Sequence, residues 1–191
     1  MVVGVQDFNL DQFNRHTRES GRIYFIPAGR YQLNETLFIE EPNVTLIGDG
    51  NVTLVKHRDD DGVYVREEGV GFRMLNIKIV DNVGNNDNLL ANGELISEDD
   101  VDDNGCCLVV KANNTLIEYC YFDRRNCNAQ KFAVYYPGPE HRSEENRNLP
   151  TALQIHFNDG LHTGNVFRNN KIRSRISCDN LSFSLQQNGM V

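Results

Sequence analysis

The sequence predicts an all-β solenoid, in which short strands stack as each coil of chain lies on the last. Three observations predict it. Between Gly21 and Lys56 the chain is a succession of short runs: Ile23–Ile26, Tyr31–Leu33, Thr36–Ile39, Val44–Ile47 and Val52–Val55. The runs are rich in β-branched and aromatic residues, and the Gly, Pro, Asn and Asp between them are turn formers. The turns are too irregular for a set of two-residue hairpins, and strands this short form no sheet by themselves, so each needs a partner one coil away. Further along, comparable units recur at roughly 20 to 25 residues, the period of a stacked repeat.

The elements follow in chain order. Residues 1–20 are predicted to form an N-terminal helical cap, with Phe8, Leu10 and Phe13 on one apolar face and Gly21 as the C-terminal stop. A helix here covers the open end of the stack, which otherwise exposes core and strand edges. Residues 21–191 form the solenoid. After the opening block, three units carry matching phrases: Phe72-Arg73-Met74-Leu75-Asn76-Ile77, Ile117-Glu118-Tyr119-Cys120-Tyr121-Phe122 and Phe167-Arg168-Asn169-Asn170-Lys171-Ile172. Insertions over 83–105 and 126–150 interrupt the rhythm and read as surface loops, either over a binding face or without a role. Leu181–Leu185 begins another strand and no terminal cap follows before Val191. The expectation is a solenoid incomplete at its C-terminal end, continued by more chain or covered by another subunit.

Composition bounds the function. The 191 residues carry a formal net charge of −8, which argues against non-specific binding to nucleic acid or anionic membranes. No apolar run approaches the roughly 18 residues that span a bilayer, so no membrane insertion is expected. The opening MVVGVQDFNLDQF has neither the basic nor the long apolar region of a signal peptide. The 5 cysteines include no CxxC pair, which disfavours zinc, and they read as core thiols rather than a disulfide framework.

Two motifs carry a resemblance. Ile23-Tyr24-Phe25-Ile26-Pro27-Ala28-Gly29-Arg30-Tyr31 is similar to the opening strand and turn of pectate-lyase-like proteins, and Val44-Thr45-Leu46-Ile47-Gly48-Asp49-Gly50 resembles the turn that follows it there. The resemblance implies a right-handed parallel β-helix. That superfamily includes polysaccharide lyases, glycoside hydrolases, epimerases and non-catalytic phage and virus spikes, so the fold does not choose the function.

Several residues are candidates for chemistry. His156-Phe157-Asn158-Asp159-Gly160-Leu161-His162 is the densest polar constellation. Its Asn158-Asp159-Gly160 resembles a turn of polygalacturonase-like hydrolases that holds a catalytic carboxylate at the place of Asp159. The partner carboxylate that hydrolysis requires is missing beside it, and Asn-Asp-Gly is also an ordinary turn. Arg168, Lys171, Arg173 and Arg175 form a basic run. β-Elimination from a uronate needs a cation for the enolate and a base at C5; Arg173 and Arg175, two apart on a strand, share a face. The catalytic candidates are therefore Asp159, His162, Arg173 and Arg175, with His156, Lys171, Tyr135 and Tyr136 for substrate. Trp is absent, so a sugar platform falls to tyrosine or phenylalanine, with Tyr119, Tyr121, Tyr135 and Tyr136 as candidates. Calcium, the one cofactor expected, needs clustered oxygens; the candidates are Asp59-Asp60-Asp61 and, as the denser set, Asp99, Asp100, Asp102 and Asp103, and a solvated loop is the plainer reading of both runs.

The expected function is a carbohydrate-directed β-helix protein, lyase-like or hydrolase-like, that acts on or binds an acidic glycan outside the cell. The alternative is a non-catalytic structural β-helix of a viral or phage particle, at the virion surface and assembled as a homotrimer or with other particle proteins. An ice-binding face is disfavoured because no Thr-x-Thr ladder repeats.

Overall fold

The computed structural model of the protein describes residues 19–56, 60–81, 106–124, 134–136, 153–155 and 164–174. These residues are all-β, with thirteen strands in two sheets and no helix among them. Of the cap expected over residues 1–20 only Glu19 and Ser20 are described, as a bend and turn before the first strand; the rest of it and the strand expected at Leu181–Leu185 lie outside the described residues, as do both insertions for most of their length.

The larger sheet contains β1 (Ile23–Ile26), β2 (Gly29–Gln32), β4 (Thr45–Lys56), β6 (Arg73–Asp81), β8 (Leu116–Glu118), β9 (Tyr121–Arg124), β12 (Val166–Arg168) and β13 (Lys171–Ser174). The smaller contains β3 (Leu37–Ile39), β5 (Val63–Val65), β7 (Leu108–Val110), β10 (Val134–Tyr136) and β11 (Leu153–Ile155). Each pairing is parallel. Up to β9 the chain passes back and forth between the sheets; β10 and β11 are then consecutive neighbours in the smaller one.

Parallel pairing in register stacks like on like. In the larger sheet Leu46, Met74, Ile117 and Phe167 form one inward column, and Leu54, Ile79, Phe122 and Ile172 form another. In the smaller sheet Leu37, Val63, Leu108 and Val134 do the same. Buried residues from both sheets form a single apolar cluster, and Phe122 stacks on Phe167 at 6.0 Å between centroids. Each such side chain contributes about 1.5–3 kcal/mol through burial. Cys107 and Cys120 belong to this core, and Cys106, Cys107 and Cys120 are free thiols. Burial raises the Cys120 thiol to about 12.

Turns stack as well. Gly21, Asn43, Gly71, Asn114 and Gly164 all adopt positive φ, between 56° and 77°. Gly21 N–H donates to Pro42 O, Asn43 N–H to Val70 O and Gly71 N–H to Asn113 O, so the left-handed residue of one turn is tied to the next. A Cβ at Gly71 would strike the Asn43 side chain, and one at Gly164 would strike Asn114. Glycine therefore alternates with asparagine down this column for want of room. Two further asparagines join neighbouring turns. Asn165 accepts from the Thr115 N–H and hydroxyl at 2.9 Å and donates to Ala112 O at 3.1 Å. Asn170 accepts from the Cys120 N–H and donates to Ile117 O, both at 2.8 Å.

Register corrects two sequence readings. Val44–Ile47 and Val52–Val55 are one strand, β4, with a register irregularity between Ile47 and Val52. Gly48 permits this, because its backbone passes against Asn76 O where a Cβ has no space, while Asp49, Gly50 and Asn51 stand exposed. The matching phrases are also offset: Met74, not Phe72, aligns with Ile117 and Phe167. The slip is two residues, which leaves each side chain on its expected face and so escapes detection by hydrophobic pattern.

Candidate functional site: the basic face of the larger sheet

Alternation decides what reaches solvent on β6, β9 and β13. Ile79, Phe122 and Ile172 point into the core, so the residues on either side of them point out. In register these are Lys78, Tyr121 and Lys171 on one side, and Val80, Asp123 and Arg173 on the other. Lys171 and Arg173 are exposed, and Lys78, Tyr121 and Asp123 are half-buried.

Tyr121 is the centre of the arrangement. Lys78 Nζ lies 5.4 Å from its ring centroid and Lys171 Nζ lies 5.8 Å from it. Tyr121 Oη donates to Asp123 Oδ2 at 2.8 Å, which fixes the phenol. Two ammonium groups on strands either side of one ring stand roughly 10 Å apart by the usual strand spacing, with Arg173 two residues beyond Lys171. Such cation–π contacts at partly exposed sites contribute about 0.5–1 kcal/mol each. They hold the lysines over the face without burying their charge.

A second charged group sits at the corner between β8 and β9. Arg168 grips Glu118 with Nε at 2.8 Å from Oε1 and a second nitrogen at 3.3 Å from Oε2, and Asn169 adds a bond at 3.2 Å. The Arg168 hydrogen bond, foremost among several, holds the Glu118 carboxyl below its usual range. Beside it Tyr119 is 57% exposed and has φ 55°. Asn76 and Asn169 occupy the corresponding corner positions with φ 56° and 55°. Tyrosine is thus the odd member of a column otherwise made of asparagine, the side chain that tolerates this conformation best after glycine.

The structure brings Lys171 and Arg173 to one face of β13; Arg175, the residue expected to share a face with Arg173, lies outside the described residues. Tyr135 and Tyr136 lie on β10 in the other sheet, whereas Tyr121 stands between Lys78 and Lys171. Asp159, His162, His156 and Arg175 lie outside the described residues, and so do Asp99, Asp100, Asp102 and Asp103. No group of three or more His, Cys, Asp and Glu side chains is placed to hold a metal ion among the described residues. Asp61, from the other acidic run, has a structural role: its carboxylate accepts the Cys106 N–H. Lys78 and Asp123 were not singled out in the sequence, because only strand register places them beside Tyr121 and Lys171.

No family model, curated protein or solved structure matches this chain. Among the described residues, no helix is long and apolar enough to cross a membrane.

Proposed function

We propose that this chain is a carbohydrate-directed, right-handed parallel β-helix protein that binds an acidic glycan on the face formed by β6, β9 and β13. The single observation that carries the glycan reading is the Lys78–Tyr121–Lys171 arrangement, extended by Arg173. The ammonium groups that the ring holds on both sides meet carboxylates carried along a polymer. In a molecule of net charge −8, such a basic face also sets where a polyanion approaches. The β-helix reading is supported by the parallel pairing, by passage of the chain between two sheets that share one core, and by the stacked left-handed turns. Right-handedness follows from the strong preference of parallel crossovers. Residues 1–20 are its helical cap in this reading.

β-Elimination from a uronate is compatible with the same residues, with Lys171 or Arg173 as the base and the neighbouring cations stabilising the enolate. The experiment that tests the proposal is electrophoresis through gels containing pectate, alginate, glucuronan or a neutral glycan, with the absorbance of unsaturated products read in parallel. Retardation by at least one acidic glycan, lost in Lys78→Gln/Lys171→Gln, is the expected result. Product absorbance added to retardation marks a lyase, and retardation alone marks a binder. Migration unaffected by every acidic glycan overturns the proposal and favours the structural role in a viral or phage particle.

A further inference from the structure

The corner between β8 and β9 carries an outlier that the basic face does not explain. Tyr119 is 57% exposed and holds φ 55°, a conformation that disfavours an ordinary side chain. Asn76 and Asn169 fill the same corner on the neighbouring turns, both exposed, and asparagine is the easier residue there. Backbone strain of this kind clusters at ligand contacts and active sites. The ring is also held. Its phenol bonds the Glu118 carboxylate, which Arg168 grips through two nitrogens and Asn169 through one. Arg168 offsets the Glu118 charge, so the ring does not stand beside an uncompensated carboxylate.

Position ties this ring to the basic face. Register aligns Lys78, Tyr121 and Lys171. The corner residues Asn76, Tyr119 and Asn169 each precede them by two positions, which is at most about 7 Å of backbone. The two tyrosines differ in what their rings carry. Tyr121 already has Lys78 and Lys171 at its ring, so it supports charge. Among the described residues no cation lies over the Tyr119 ring and no aromatic stacks on it. An open, fixed ring offers a flat apolar surface with little side-chain freedom left to lose. On a polyuronate the complementary surface is a pyranose side made of C–H groups. β-Linked mannuronate has one, a side on which every axial substituent is hydrogen. α-Linked guluronate has none, because axial oxygens project from both sides of its ring.

We infer that Tyr119 is the stacking platform of the acidic-glycan face, and that it selects uronates with an apolar ring side, such as β-linked mannuronate, over guluronate. This rests on the glycan reading of β6, β9 and β13 and adds the residue that discriminates among polymers of equal charge. The probes are oligomannuronate and oligoguluronate of equal length, titrated at low salt into the full chain and its variants. The wild type is expected to bind oligomannuronate about fivefold more tightly than oligoguluronate, the scale of one aromatic contact. Tyr119→Asn, which suits the backbone there, abolishes that preference by weakening oligomannuronate alone. Tyr119→Phe keeps the ring and keeps the preference. Lys78→Gln/Lys171→Gln weakens both oligomers together. Equal binding of the two oligomers by the wild type, or a preference that survives in Tyr119→Asn, overturns the inference while the basic face stands. Binding of neither oligomer also overturns it, and the basic face falls with it only if pectate and glucuronan fail as well.

Discussion

At the scale of single residues, Tyr119 and Glu118 give the sharpest expectations. Tyr119 holds positive φ with its phenol bonded to the neighbouring Glu118 carboxylate and no short polar side chain of the kind that suits this conformation, and its neighbours in the column are Asn76 and Asn169. Left-handed conformation costs an ordinary residue about 1–2 kcal/mol. Tyr119→Asn should therefore raise unfolding stability by up to about 1 kcal/mol, read from the urea midpoint. An unchanged or lowered midpoint shows that contacts of the exposed ring outweigh the strain. Glu118 contributes through its lowered carboxyl. A depressed folded value means that the contribution is present above the ordinary carboxyl range near 4.5. It is lost as pH falls through the folded value. Glu118→Gln should flatten the decline in stability below about pH 4.5, and a decline as steep as the wild type's rejects this assignment. Cys120, raised to about 12 by burial, should resist a thiol reagent at pH 8 in the folded protein and react only after unfolding.

At the scale of elements, the corner asparagines do what no strand can do alone. Asn165 is buried and satisfies a backbone donor and a backbone acceptor on the neighbouring turn. Removing its amide leaves those groups without their partner in the interior, which costs about 1–3 kcal/mol. Asn165→Ala should lose that much in chemical denaturation, and a loss below about 0.5 kcal/mol would mean that water replaces the amide. Gly48→Ala should also be destabilising, because the added methyl meets Asn76 O between β4 and β6. The sequence reveals such elements unevenly. Ile23–Ile26 and Val63–Val65 are legible from β-branched and aromatic runs bounded by turn formers. The continuity of β4 is not, because Gly48-Asp49-Gly50-Asn51 has the composition of a turn. The strand resumes after it only because Asn76 on β6 leaves the pairing on both sides intact. Corner residues such as Asn165 and Asn170 are hidden for a similar reason: their partners lie 50 and 53 residues away.

At the scale of the whole molecule, stacking turns sequence-distant residues into neighbours, and the candidate sites inherit that property. Lys171 and Arg173 stand out in the sequence as a basic strand. Their value as a site depends on Tyr121, Asp123 and Lys78, which belong to separate parts of the chain. The overall negative charge opposes a polyanion at long range while the basic face attracts it locally, so binding should weaken as salt rises and the local attraction is screened. Loss of Lys78 and Lys171 together should remove most of that salt dependence.

The most direct measurement maps an acidic oligosaccharide onto the folded chain. A labelled sample titrated with a galacturonate, a mannuronate–guluronate and a glucuronate oligomer, at low salt, reports each amide it perturbs. Saturable shifts concentrated on Lys78, Tyr121, Lys171 and Arg173 with at least one oligomer, and lost in Lys78→Gln/Lys171→Gln, are what a glycan-binding face on β6, β9 and β13 predicts. Saturable shifts that avoid these strands, or no shifts with any of the three oligomers, contradict it.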